Sequence, residues 1–329
     1  MKIGIIGGTG MLGHHMAIAA QLRQYEVVVI HRAGSKTSQI ADLTYESRIG
    51  DLNDRGSMIR AMKGLDLIAN CAAYYPTLPQ PLPQQIKTAR LQMQFFLDGV
   101  EASGCQRALY VGGAIAIPKN PNGLGIEDLF YDKAPEDENP YLQVKWLMDK
   151  MARMGADQGL PLVIGIPTMT FGEYDYGPTT GRLIVDLANE DLPAYIKGLR
   201  NVVSARDAGR GLLLALEKGR FGERYLISGE NTDIGSLVKL ISETAGVTPI
   251  TKTLPLGIAK LISKLQEIKY TLVKGTPPTL SSTAIAVLSS GQHIDAAKSK
   301  EELGYEPDLT AIDAVRSAYT WFKKEGYIE

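Results

Sequence analysis

A chain of 329 residues with 35 Lys and Arg against 36 Asp and Glu carries a formal net charge of −1, so it lacks the basic excess that nucleic acid or an anionic membrane surface selects. A hydrophobic content of 44% is that of an ordinary globular protein, and the length allows one large or two coupled domains. The two cysteines, Cys71 and Cys105, make neither a metal-ligand spacing nor a disulfide framework; they read as small buried residues of a reducing compartment, and no metal is expected.

The opening "MKIGIIGGTG" runs from a strand into a turn and lacks the pattern of a secretory signal. No stretch approaches the roughly 20 apolar residues of a membrane span. A cytoplasmic protein is therefore expected, with a small-molecule substrate, no nucleic acid and no membrane span. A homodimer is one option for its assembly.

Along the first half, apolar runs at 2–6, 26–31, 48–52, 65–71, 107–112 and 160–166 read as strands. Stretches at 11–23, 56–63 and 84–103 have helical spacing. Most strand runs do not alternate, which suggests cover on both faces. The β-α-β rhythm implies an α/β fold: a Rossmann-type doubly wound parallel sheet with right-handed crossovers. The pattern changes after Thr168. "EYDYGPTTG" is loop-like, 181–189 and 234–245 look helical, and "GERYLISG" reads as a short strand. Leu261, Ile262 and Leu265 mark one side of a further helix expected to pack on a core. "KGTPP" reads as a turn. Asp308 or Thr310 starts a last helix with an apolar stripe through Ile312, Val315 and Tyr319. Residues 1–168 are expected to form the dinucleotide-binding domain. Residues 169–329 are expected to form mainly a smaller mixed α/β substrate domain, with some segments free to return to the sheet. Ligands of such folds bind at the C-terminal edge of the strands.

"IGIIGGTGMLGHH" places Gly7, Gly10 and Gly13 at three-residue intervals between a strand and a helix. Gly7 permits the tight turn, Gly10 lets a pyrophosphate approach the backbone, and Gly13 allows close helix–sheet packing. With Thr9, Met11 and Leu12 they form the expected phosphate turn, with the helix amides facing the phosphates. The next strand ends "VVVIHRAGSK", with His31 and Arg32 in place of the carboxylate that an NAD site usually offers to the ribose. A guanidinium clamps a 2′-phosphate, so NADP is preferred, with NAD as the alternative.

"ENPYLQVKWLMDKMA" sets Tyr141 and Lys145 one helical turn apart on one face. A nearby ammonium and the positive ring of an oxidised cofactor favour the phenolate. Tyr141 is then the candidate proton donor in reduction or acceptor in oxidation, and Lys145 a candidate ribose ligand.

Together these residues resemble the extended short-chain dehydrogenase/reductase superfamily. The resemblance also rests on "GDLND" at 50–54, "NCAAYY" after the fourth strand, "GIPTMTFGEYD" after the sixth and the terminal "LGYEPDL". The second half looks like the branch of dihydroflavonol-reductase-like proteins and hopanoid-associated sugar epimerases. The resemblance implies that Asp51 and Leu52 border the adenine. It implies that Cys71, Ala72 and Ala73 line the cofactor channel, and that Pro167 and Thr168 sit by the nicotinamide carboxamide. Two positions depart from it. Adjacent serines are expected after the fifth strand, where this chain has Gly112, Gly113 and Ala114. A helical Asn before that strand is replaced near its place by Ala89.

Losing a positioned donor costs roughly two to three powers of ten in rate. A water or a substrate hydroxyl fills the place of the Gly113 serine, or Thr168 or Thr170 substitutes, or a bulky substrate uses the room, or the protein is a non-catalytic NADP sensor. The favoured reading is NADPH-linked reduction of a carbonyl compound with Tyr141 as proton donor. A nucleoside-diphosphate-sugar epimerase or dehydratase is the alternative. Segments 74–84, 171–182 and 191–200 are the expected pocket walls. Arg182 and Arg200 are weighed as anion ligands against the plainer reading of exposed arginines.

Overall fold

The computed structural model describes residues 1–329 apart from 73, 77–78, 274–277 and 279. The channel residue Ala73 and most of the turn at 274–278 therefore lie outside the described residues. In chain order the first half runs β1 (Lys2–Ile6), α1 (Met11–Leu22), β2 (Glu26–His31), β3 (Glu46–Ile49), α2 (Arg55–Met62) and β4 (Leu67–Asn70). It continues α3 (Leu82–Ser103), β5 (Arg107–Val111), α4 (Pro140–Asp157) and β6 (Leu162–Pro167). The second half runs β7 (Met169–Phe171), α5 (Arg182–Ala188), β8 (Leu199–Ser204), α6 (Ala205–Lys218), β9 (Arg224–Ile227) and β10 (Glu230–Asp233). It ends α7 (Ile234–Ala245), α8 (Leu256–Val273), α9 (Ser282–Ser289), α10 (Ala297–Leu303) and α11 (Ala311–Lys324).

Seven parallel strands form one sheet in the order β3-β2-β1-β4-β5-β6-β9. The order reverses between β1 and β4, which opens a crevice at their C-terminal ends. Strand alternation sorts side chains onto two cores. Val28 and Ile30 of β2 and Ala108 and Tyr110 of β5 join Met58, Phe96 and Met148 on one face. Val27, Val29, Leu109 and Val111 join Met16, Leu212 and Leu216 on the other. Burial on both faces is why these strands read as unbroken apolar runs. Helix α6 crosses α1 closely: a Cβ on Gly209 would come within 2.5 Å of the His15 backbone.

β3 departs from expectation. The strand was expected over 48–52 but spans Glu46–Ile49, and its side chains are largely exposed. Leu52 is buried from the turn beyond the strand, so its apolar character reports packing, not strand membership. The second half is not wholly separate. β9 is the last strand of the large sheet, and α6 and α10 pack with it. The rest forms a smaller lobe, in which β10-β8-β7 make a three-stranded mixed sheet. Helices α5, α7 and α11 bury Ile184, Leu237, Val315 and Phe322 against that sheet.

Helix α11 begins where Thr310 caps it, with Asp313 closing a reciprocal capping box. Its buried side runs through Ala311, Ala314, Val315, Ala318 and Phe322, so Ile312 and Tyr319 of the expected stripe lie at its half-buried margin. A larger correction concerns α8. Leu261 and Leu265, expected on a core, are 60% and 58% exposed, and Ile262 is half-buried. The helix buries Ala259 and Ser263 instead, because only that narrow side meets the lobe.

Candidate active site

The crevice at the strand reversal is a cavity of about 670 Å³. Its floor is the turn after β1. Gly7 has φ of +79°, and a Cβ there would lie 2.7 Å from the Ala72 Cβ, so backbone angle and neighbour both require glycine. A Cβ on Gly13 would run into the Gly7 carbonyl oxygen. Gly10 is different: a Cβ would meet that oxygen at an ordinary 3.5 Å. Internal packing leaves Gly10 unexplained, while the space beside it opens into the cavity. No side chain caps α1, so its first-turn amides remain available to an anion. These features fit a dinucleotide pyrophosphate.

Of the expected residues, Thr9, Gly10, Met11, Leu12, Gly13, Cys71, Tyr141, Lys145, Pro167 and Thr168 line the cavity. Gly7 and Ala72 stand directly behind the turn. His31, Arg32, Asp51 and Leu52 lie outside the lining, at the ends of β2 and β3. The His31 ring is hydrogen-bonded to the Ser47 hydroxyl and the Arg32 carbonyl, at 2.8 and 2.9 Å, while exposed Arg32 forms no ion pair among the described residues. Burial pushes the Cys71 thiol up to about 12, so it is an inert wall.

Tyr141 and Lys145 emerge from the first turns of α4, where Pro140 occupies the start and the Asn139 side chain caps the Tyr141 and Leu142 amides. The Tyr141 ring meets Tyr75 edge to face at 4.8 Å. Burial, with Tyr75 alongside, pushes the Tyr141 hydroxyl above the ordinary phenol range. Burial pulls Lys145 down to about 8. Before any ligand enters, burial favours the protonated phenol; the phenolate expected beside an ammonium and an oxidised cofactor belongs to the loaded site.

Gly113 faces this pair. A Cβ on it would lie 3.3 Å from the Tyr141 hydroxyl and 3.4 Å from the Lys145 stem. Its backbone is extended, at φ −146° and ψ 136°, so any residue could adopt it. A side chain at the expected serine position would sit tightly against the Tyr141 hydroxyl and the Lys145 stem. Neither threonine replaces the missing donor. The Thr168 hydroxyl donates to Asn201 Oδ1 at 2.8 Å, and the Thr170 hydroxyl donates to the Thr168 carbonyl at 3.0 Å. Ala89 is fully buried in the core of α3, with no polar function.

The loop after β7 forms one wall. Tyr174 stacks on His14 at 3.7 Å and donates to Asp42 at 3.1 Å. Asp175 accepts backbone N–H groups of Gly181 and Thr179, yet burial raises its carboxyl to about 6. The two arginines separate. Arg182 is exposed and paired with Asp186 one turn along α5. Arg200 is 4% exposed and lines the cavity, overturning its reading as an exposed side chain. Its guanidinium donates to the Leu199, Val287 and Leu288 carbonyls, its Nε has no partner among the described residues, and burial lowers it to about 10. Sequence reasoning missed the opposite wall, which comes from Val287 and Ser290–Gln292 at the end of α9. No local signal marks those residues; α9 reaches the crevice only through tertiary packing.

This geometry defines an extended short-chain dehydrogenase/reductase. The chain belongs to the NAD dependent epimerase/dehydratase family, whose model matches residues 3–228. It is accordingly an NAD(P)-dependent enzyme of the oxidoreductase or epimerase type, and its cofactor is a nicotinamide dinucleotide. A solved structure from Pseudomonas aeruginosa, described as a nucleoside-diphosphate-sugar epimerase, is 36% identical with a TM-score of 0.86, covering 100% of this chain and 99% of that one. Sterol demethylase protein B of Methylococcus capsulatus is 27% identical over 98% of this chain and 99% of its own length. A Synechocystis protein provisionally named a dihydroflavonol 4-reductase is 26% identical over 99% of this chain and 95% of its own.

Proposed function

We propose that this enzyme reduces a carbonyl compound with NADPH, and that Tyr141 donates the proton. The observation that carries the reading is that Tyr141 and Lys145 together line the crevice and face Gly113. A phenol carries its proton at neutral pH, and the Lys145 ammonium together with the oxidised cofactor ring, when bound, favours its release to the forming alkoxide. The nicotinamide, when bound, supplies the hydride. The 7–13 turn and the α1 amides hold the pyrophosphate, Asp51 and Leu52 border the adenine, Arg32 takes the 2′-phosphate, and Cys71, Pro167 and Thr168 wall the nicotinamide end. Lys145 orients the ribose and stabilises charge as Tyr141 gives up its proton. At Gly113 a substrate hydroxyl or a water supplies the missing hydrogen bond, or the substrate itself fills the room.

A second reading, sugar-nucleotide epimerisation, draws support from Arg200. A buried arginine on the cavity wall with no carboxylate partner among the described residues suits a substrate phosphate. The likeness to the Pseudomonas aeruginosa protein points the same way. The family is one of enzymes, which favours turnover over the sensor reading. The deciding experiment supplies NADPH with a panel of carbonyl compounds and follows absorbance. Stoichiometric oxidation supports the reductase. Isomerisation of a nucleoside-diphosphate sugar with no net cofactor consumption replaces it with the epimerase.

A further inference from the structure

Helix α8 meets the rest of the protein along one narrow side, where Ala259 packs with Ile196 and Ile285. Its larger apolar residues face away. Ile258, Leu261, Leu265, Ile268 and Leu272 are 51, 60, 58, 46 and 78% exposed. Alternating spacings of three and four residues place them in one stripe along the helix. Single exposed leucines are ordinary on a protein surface, but a continuous row of five is not.

The charges around the stripe have one sign. Lys264 and Lys269 lie on its two flanks by helical geometry, and Lys260 lies further round the polar side. All three are exposed, and none forms an ion pair among the described residues. The single acid of α8, Glu267, accepts the Ser282 amide and is thereby engaged with α9. This local excess is hidden in a chain whose net charge is −1.

We propose that α8 docks this protein on an anionic lipid bilayer, with the stripe in the boundary between headgroups and acyl chains. The flanking lysines extend along it to the lipid phosphates. No described helix is long and apolar enough to cross a membrane, so the attachment is peripheral. The charge pattern favours lipid over a second copy of this chain. Two such stripes packed together would bring lysines against lysines, whereas anionic headgroups neutralise them. Helix α8 packs on α9, whose end walls the active-site cavity. Docking therefore holds the crevice one helix layer from the bilayer.

The test is co-sedimentation of the full chain with vesicles of phosphatidylcholine alone or with added phosphatidylglycerol. Binding should require the anionic lipid and weaken with salt. Leu261→Glu with Leu265→Glu should abolish binding while leaving the melting temperature unchanged, because both positions are exposed. Lys264→Gln and Lys269→Gln should each weaken it roughly fivefold. Failure to bind anionic vesicles at low salt overturns the proposal. So does binding that survives the double leucine substitution. A dimer in sedimentation equilibrium that the double substitution dissociates, without vesicle binding, assigns the stripe to a second copy instead.

Discussion

The turn after β1 and the corner after β5 are both glycine-rich, both end a central strand and both line the same cavity, yet their glycines exist for different reasons. At Gly7 a positive φ and the adjacent Ala72 leave no alternative, and at Gly13 the Gly7 carbonyl fills the space of a side chain. At Gly113 the backbone is extended, and a Cβ would meet only the far end of Lys145 and the Tyr141 hydroxyl at 3.3–3.4 Å. The first turn needs glycine to fold. The second has glycine in a backbone conformation open to any residue, where a Cβ would press on side-chain atoms of Tyr141 and Lys145 and not on backbone.

Five substitutions and one titration probe that contrast. The largest effect is expected at the tyrosine that Gly113 faces. Tyr141→Phe removes one hydroxyl from a packed ring, and kcat should fall by roughly two to four powers of ten with the fold intact. Steady-state kinetics with circular dichroism checks both parts. A retained rate would move the proton donor elsewhere.

Next comes the comparison itself. Gly113→Ser should leave stability nearly unchanged and raise kcat by up to about a hundredfold, by adding one donor to the reacting oxygen. Gly13→Ala should instead destabilise the protein by about 1–3 kcal/mol through overpacking, and weaken cofactor binding. Thermal melts and kinetics of the pair test the contrast. A lower kcat/KM in a stable Gly113→Ser protein means the substrate or a water uses that room.

A smaller effect is expected at the rim. Arg32→Ala should narrow the preference for NADPH over NADH by about tenfold or more, the worth of a charged hydrogen bond. Fluorescence titration of both cofactors measures it. Equal affinities in the parent protein would remove Arg32 from the 2′-phosphate.

The gentlest test is pH. Lys145 titrates near 8 in the free protein, so kcat/KM should fall by up to about tenfold per unit above that pH as the ammonium is lost. The effect on stability has the opposite sign. Between about 8 and its ordinary value of 10.5 the folded state holds fewer protons on this lysine than the unfolded chain, so this group's contribution to stability rises with pH. Lys145→Met should flatten that rise. A pH profile unchanged in that variant would assign the limb to another group.

What the sequence determined by itself is what local chemistry encodes. Apolar runs between helical spacings declared the parallel sheet, because strands covered on both faces leave no polar alternation. The Gly7–Gly10–Gly13 spacing declared the tight turn from β1 into α1, because backbone angle and close approach are properties of the residue itself. The four-residue interval declared that Tyr141 and Lys145 share a face. Tertiary structure decided everything that depends on a distant partner. It buried Arg200 while leaving Arg182 in water, and it engaged the hydroxyls of Thr168 and Thr170 with internal acceptors. It brought the end of α9 to the cavity, set the Tyr141 ring against Tyr75, and turned the apolar stripe of α8 outward. Periodicity specifies a face, but only the packing of remote segments decides whether that face is covered, and with it the dielectric and hydrogen-bond partners that set each side chain's chemistry.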